Sequence, residues 1–133
     1  MNILLVDDDI SSVTALTNLL SHDHDLKIAS NGYDAFNMIA GNHYDVVITD
    51  IMMPKMNGIE LLKSIREFDR DINVIVLTGY PTDNTIKAAT KYNASAFFIK
   101  PIDVERFMAE LEKIEQSVTS EKNKKGVRCH ESG

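Results

Sequence analysis

Five short apolar runs alternate with five segments of helical period along this chain. Ile3-Leu4-Leu5-Val6 stops at Asp7-Asp8-Asp9, and residues from about 10 to 21 then put Ile10, Val13, Leu16, Leu19 and Leu20 on one helical face. Leu26 to Ala29 is a shorter run; Asn31-Gly32 is a turn, and Ala35, Phe36, Ile39 and Ala40 mark a helix ending at Gly41-Asn42. Val46 to Thr49 ends at Asp50, and Pro54 forces the segment from Ile51 to Met56 into a loop. Asn57 is placed to cap a helix carrying Ile59, Leu62 and Ile65, with Glu60 as its box partner. Val74 to Thr78 is broken by Gly79-Tyr80-Pro81, after which Thr82 or Asp83 starts a helix through Ile86, Ala89 and Tyr92. Ala96 to Ile99 is stopped by Lys100-Pro101, and Asp103 is placed to cap a last helix with Val104, Phe107, Leu111, Ile114 and Val118. Near-continuous apolar strands alternating with helices predict an α/β, doubly wound, parallel sheet covered on both faces, with right-handed crossovers.

With 133 residues, 44% apolar and 26% charged, the chain is sized for one domain with a hydrophobic core. No apolar run approaches the ~20 residues of a membrane span. Met1 leads directly into the first strand without a basic leader, and Cys129 has no second cysteine to pair with, so a cytoplasmic, reducing setting is expected. The net charge is −6, with −7 on residues 1–114 and +1 on the remainder. An acidic body argues against direct contact with nucleic acid, whose phosphates need a basic surface. The periodicity ends near residue 118. Residues 117–133 are expected to be a polar, disordered tail or linker carrying Lys122, Lys124, Lys125 and Arg128, or the cut end of a longer protein, and residues 1–116 the folded domain. Val118 leaves a short dimerising extension as an alternative use of the last helix.

In open α/β sheets, ligands bind outside the carboxyl ends of the strands. Here those ends carry Asp7, Asp8 and Asp9, then Asp50, Thr78 and Lys100. Crowded carboxylates repel, and a divalent cation with a taste for hard oxygen ligands, Mg²⁺ (or Mn²⁺), relieves the repulsion. Lys100 would offset charge on a phosphoryl group and Thr78 would hydrogen-bond one of its oxygens, while Asp50, alone at the middle of this set, is the candidate nucleophile. Taken singly, each feature has a plain structural use: Asp9 as a helix cap, Thr78 as a strand end, Lys100-Pro101 as a turn. The histidines His22, His24 and His43 lie near helix ends and turns, where solvation explains them better than metal binding.

At these residues the sequence resembles a bacterial response-regulator receiver domain, either stand-alone or at the N-terminus of a larger regulator. The resemblance rests on LLVDDD at 4–9, VVITDIMMPKMNG at 46–58, VIVLTG at 74–79 and FFIKP at 97–101, in order, over residues 1 to about 116. It implies the flavodoxin-like receiver fold: a sheet of order 2-1-3-4-5 with five helices. It further implies that Asp50 accepts a phosphoryl group from a phosphohistidine on a sensor kinase or histidine phosphotransfer protein. Asp8, Asp50 and the Met52 backbone carbonyl would ligate the metal, Asp7 would reach it through water, and Lys100 would pair with the phosphoryl group. Thr78 and Phe97 would switch, changing partner affinity on helix four, strand five and helix five. A phosphorylation-dependent dimer is among the implied partners, and a cis peptide is implied at Lys100-Pro101. Such a domain is a signalling module rather than an enzyme, with weak phosphotransfer and self-dephosphorylation activity only.

Three positions refine the resemblance. Phe97 has no hydroxyl where many relatives have tyrosine. Met52 and Tyr80 stand two residues after Asp50 and Thr78, positions that in this family influence access of water to the acyl phosphate, and their bulk implies slow hydrolysis. Two rival readings stay open on sequence alone. One is a phosphatase resembling the haloacid dehalogenases, with Asp7 as nucleophile and Asp9 two residues on, although Ser11 stands where that family has Thr or Val. The other is a docking module that is never phosphorylated.

Overall fold

The computed structural model describes every residue except Pro54 and Gly133, with side chains as far as Ser120. Lys122, Lys124, Lys125, Arg128 and Cys129 of the tail therefore lie outside the described side chains. The chain divides into two units, Met1–Ile102 and Asp103–Gly133.

In the first unit, β1 (Asn2–Val6), β2 (Asp25–Ala29), β3 (Val46–Asp50), β4 (Asn73–Thr78) and β5 (Ala96–Ile99) alternate with α1 (Ile10–Leu20), α2 (Gly32–Gly41), α3 (Gly58–Phe68) and α4 (Asp83–Lys91). The strands form one parallel sheet in the order β2-β1-β3-β4-β5. The middles of β1, β3 and β4 are apolar on both faces, and both faces are buried. Leu4, Val6, Val47, Val74 and Val76 pack with Ala35 and Ile39 of α2 and Leu61, Leu62 and Ile65 of α3. The alternate residues Ile3, Leu5, Ile48, Ile75 and Leu77 point the other way and are buried as well. The second unit is α5 (Val104–Ser132), whose N-terminus is capped by Asp103 through the Arg106 N–H at 3.3 Å. Its helical backbone continues past Val118, the last position of the apolar 3/4 spacing. The expected tail at 117–133 falls mostly on residues whose side chains are not described.

Local chemistry explains the helix starts. Asp9 caps α1 by accepting from the Ser11 N–H. Asn57 caps α3 by accepting from the Ile59 and Glu60 N–H groups, but Glu60 takes the Asn57 side-chain amide rather than its backbone N–H, so the box is not closed. Thr82 caps α4 and forms a full reciprocal box with Thr85. Ile10 departs from the sequence pattern: it is 82% exposed. On a helical wheel it lies roughly 120° from Leu16, off the buried stripe. Ile86 is likewise exposed, and Ala89 is the buried residue of α4.

Arg66 is a tie that local patterning does not suggest. Its guanidinium donates to the carbonyls of Ile72 (2.6 Å), Asn93 (2.8 Å) and Tyr92 (3.0 Å), fastening α3 to the start of β4 and the end of α4. Burial lowers its pKa, against the opposing charges of Asp69 and Asp71.

Close approach of the chain to itself sets the β3–α3 connection. The Gly58 N–H donates to the Ile51 carbonyl at 3.0 Å, and a Cβ at Gly58 would fall onto the Asp50 carbonyl and the Ile51 backbone. Gly58→Ala is therefore expected to lose about 1–3 kcal/mol of stability by forced backbone displacement, read as a lower denaturant midpoint at unchanged slope. An unchanged midpoint would show that the loop yields freely.

Candidate functional site

Strand register brings the polar residues to one edge. Val6 lies opposite Thr49, Asp50 opposite Leu77, and Thr78 opposite Ile99. The four strands end within two residues of one another, so Asp50 and Thr78 at the ends of β3 and β4 share the carboxyl edge with Asp7 and Lys100, the residues that follow β1 and β5. Backbone bonds continue the alignment: Asp7 N–H to Ala29 carbonyl (3.1 Å), Ile51 N–H to Leu77 carbonyl (3.1 Å) and Lys100 N–H to Thr78 carbonyl (2.8 Å).

Lys100 reaches across from β5. Its ammonium donates to Asp7 Oδ2 and Asp50 Oδ2, both at 3.1 Å, and to Ser12 Oγ at 3.3 Å. Burial alone would lower the lysine pKa; the hydrogen bonds it donates to both carboxylates and their charges outweigh it, so the pKa lies above the ordinary lysine value. The second oxygen of each buried carboxylate faces backbone: Asp7 Oδ1 accepts from the Asp9 N–H (2.9 Å) and Asp50 Oδ1 from the Met52 N–H (3.4 Å). The two carboxylates are not equally accessible. The Asp50 side chain is 10% exposed and that of Asp7 only 1%, which favours Asp50 where an incoming group must reach an oxygen.

Asp8 is exposed beside them. One carboxylate oxygen from each of Asp7, Asp8 and Asp50 lies within 4.8 Å of the others. Three hard oxygen donors at this spacing, with room on the Asp8 side for water, fit Mg²⁺ better than softer metals. The donor set therefore suits the cation inferred from sequence, with Asp7, Asp8 and Asp50 as the residues to hold it. The Met52 backbone follows Asp50 closely enough for its N–H to bond that carboxylate, while its side chain is 62% exposed.

Thr78 is fully buried, and its hydroxyl accepts from the Tyr80 N–H at 3.1 Å, while the Tyr80 ring is 76% exposed. Phe97 is half-buried, lies opposite Val76 in the register and packs against the core. The Lys100-Pro101 peptide is cis. The structure thus gathers Asp7, Asp8, Asp50 and Lys100 into direct contact or close spacing, with Thr78 on the neighbouring strand end.

It also adds a residue that the sequence reading passed over. Ser12, in the first turn of α1, donates to Asp9 Oδ2 at 3.0 Å while accepting from Lys100. Asp9, held by the Ser12 hydroxyl and the Ser11 N–H, has a pKa below the usual carboxylate value. The Asp9–Ser12 spacing is a recognisable cap signal; the link to Lys100 is not, because 88 residues separate the pair. The histidines stay apart from this edge. His24 meets the Met1 amine, His43 meets Asp45, and no histidine joins the acidic cluster among the described residues.

Comparison with known proteins identifies the family. The family model described as the response regulator receiver domain matches residues 3–112. The transcriptional regulatory protein ZraR of Klebsiella oxytoca is 38% identical over 112 residues, covering 84% of this chain and 25% of that protein. The response regulator MprA of a Mycobacterium species is 30% identical over 112 residues, covering 84% of this chain and 49% of that protein. The chain therefore spans between a quarter and a half of the length of these relatives. Among solved structures, the N-terminal domain of an uncharacterised protein from Wolinella succinogenes superposes with a TM-score of 0.86 at 28% identity, covering 91% of this chain and 98% of that one. The signal receiver domain of an HD-domain-containing protein from Pseudomonas fluorescens gives 0.84 at 28% identity, covering 90% and 97%. With an ordered set of motifs, a five-strand sheet of order 2-1-3-4-5 and a match over most of its length, this chain belongs to the response regulator receiver family, the signalling domains of two-component systems.

Proposed function

We propose that Asp50 is the phosphoacceptor of this receiver and that Asp7, Asp8 and Lys100 make transfer to it possible. The observation that carries this reading is the convergence of Lys100 on Asp50 and Asp7 beside an acidic cluster with metal-ligand spacing. In the reaction, an Asp50 carboxylate oxygen forms a bond to phosphorus as the bond from phosphorus to the donor's imidazole nitrogen breaks. The imidazole leaves with the bonding pair and takes up a proton. An anion attacking an anionic phosphoryl group needs positive charge at the developing oxygens. Lys100 supplies one such charge, already held beside Asp50. Mg²⁺ bound by Asp7, Asp8 and Asp50, with the Met52 carbonyl as a further ligand, would supply Lewis-acid neutralisation of the same charge.

The donor on this reading is a sensor histidine kinase or a histidine phosphotransfer protein, in a cytoplasmic setting. No helix among the described residues is long and apolar enough to cross a membrane. Phosphorylation would draw the Thr78 hydroxyl from the Tyr80 N–H toward the new phosphoryl oxygens, and Phe97 would fill the vacated space. The response would be read on the switch elements α4, β5 and α5. Exposed apolar Ile86 on α4 and Ile99 on the edge strand β5 support α4 and β5 as partner-binding positions. The output is a following domain joined through 117–133, a separate protein, or a phosphorylation-dependent dimer. Greater exposure of the Asp50 oxygens argues for it over Asp7, the nucleophile of the phosphatase reading.

Incubation with acetyl phosphate and Mg²⁺ is expected to add one phosphoryl group, ~80 Da by intact mass, that is absent in Asp50→Asn. An adduct that persists in Asp50→Asn would overturn the assignment. Mg²⁺ at a hundred times its dissociation constant is expected to stabilise the wild-type fold by about 2.7 kcal/mol in thermal or denaturant unfolding, and Asp8→Asn to lose most of that gain. Equal stabilisation of both proteins would remove Asp8 from the metal site. The acyl phosphate is expected to persist for many minutes, and replacing Met52 with Asn and Tyr80 with Ala together to shorten its lifetime several-fold. A wild-type half-life of seconds would refute the shielding role of these two side chains.

A further inference from the structure

We propose that Ser12 is a positioning residue for Lys100, a role that rests on the reading of Asp50 as phosphoacceptor. A lysine ammonium has three N–H groups and no acceptor. Here they point to Asp7 Oδ2, Asp50 Oδ2 and Ser12 Oγ, which accounts for all three. Two of these partners are the charged groups of the reaction centre itself. Ser12 is the third, neutral and on a different element, the first turn of α1.

The direction of the Ser12 hydroxyl is fixed independently. It has a single proton, and Asp9 Oδ2 takes it at 3.0 Å. Asp9 in turn is fixed as the cap of α1, its other oxygen accepting the Ser11 N–H at 3.2 Å. With the proton committed to Asp9, the hydroxyl can only present lone pairs toward Lys100. The chain of contacts runs from the α1 backbone through Asp9 and Ser12 to Lys100 and so to Asp50. Transfer to Asp50 creates new phosphoryl oxygens that compete for the Lys100 protons. Ser12 makes no demand on the changing charge, so it anchors the ammonium at the site while its other two bonds rearrange. Such pre-positioning lowers the barrier without adding a group to the chemistry.

The test uses a pair of near-isosteres. Ser12→Thr retains the hydroxyl, and Ser12→Val has almost the same shape without it. Phosphorylation of the full chain by acetyl phosphate and Mg²⁺ is followed by intact mass, in wild-type and Lys100→Ala backgrounds, with the Mg²⁺ concentration for half-maximal rate measured for each protein. Ser12→Thr is expected to stay within about twofold of wild type and Ser12→Val to be about three- to tenfold slower, the range of one net hydrogen bond. The half-maximal Mg²⁺ concentration is expected to match in the two variants. In the Lys100→Ala background the difference between Thr and Val is expected to vanish, since the hydroxyl then has no ammonium to hold. Equal rates for Thr and Val beside Lys100, a gap that survives in Lys100→Ala, or a change in the Mg²⁺ requirement that tracks the rate would each overturn the role. Absence of any Asp50 adduct in wild type would instead defeat the phosphoacceptor reading, and is seen before the variants are compared.

Discussion

An ammonium held between two carboxylates at the carboxyl edge of a parallel sheet governs the rest of this molecule. Asp7 and Asp50 are both buried, and two such charges side by side would repel strongly at low dielectric. Lys100 bonds both at 3.1 Å and turns the repulsion into a satisfied triad. Removing one member of such a set leaves an uncompensated buried charge, commonly a larger loss than the set contributes when intact. The sheet order serves this contact. β1 and β3 are neighbours, so Asp7 and Asp50 follow paired residues, and β5 lies one strand beyond β4, within reach of a long lysine side chain.

The same edge carries a conflict between stability and chemistry. Asp8 adds a third carboxylate within 4.8 Å of the pair, and Lys100 makes no bond to it. Packing elsewhere supplies the surplus that tolerates this. The central strands are apolar on both faces, and the guanidinium of Arg66 locks the far ends of α3, β4 and α4 together through three carbonyls. Local inconsistency confined to one edge of a consistent fold is what functional sites look like physically.

Much of this was legible in the sequence, for identifiable reasons. Strands in a doubly covered sheet have to be apolar, so β3, β4 and β5 announce themselves as uninterrupted runs, and the first polar residue after each run must sit at the strand end. Asp7, Asp50, Thr78 and Lys100 could therefore be placed at one edge before any register was known. Side-chain contacts between distant elements could not. Ser12 reads as an ordinary residue in a helix start until Lys100 arrives from 88 positions away. Arg66 reads as a solvated cation near a helix end, because its partners are backbone carbonyls that no residue type encodes. Ile10 reads as core because it is apolar, yet its angle on the helix turns it outward. The choice between Thr82 and Asp83 as cap turned on Thr85, whose hydroxyl closes the box.

The resting geometry also bounds what phosphorylation has to accomplish on the proposed reading. The Thr78 hydroxyl already has a partner in the Tyr80 N–H, so moving it toward Asp50 forfeits a hydrogen bond of about 0.5–1.5 kcal/mol. Phe97 is half-buried against the core and has no hydroxyl to recover by moving, so its inward state gains only by packing into space that Thr78 leaves. A modification shifts a two-state equilibrium only by its differential contacts with the two states. The phosphoryl oxygens must therefore bind the Thr78 hydroxyl more strongly than the Tyr80 amide does, and Lys100 must follow them without leaving Asp7 bare. A tyrosine at position 97 would gain or lose a solvated hydroxyl on switching; a phenylalanine does not. The balance between states in this chain then rests on two quantities: the exchange of partners at Thr78 and the volume that Phe97 can fill.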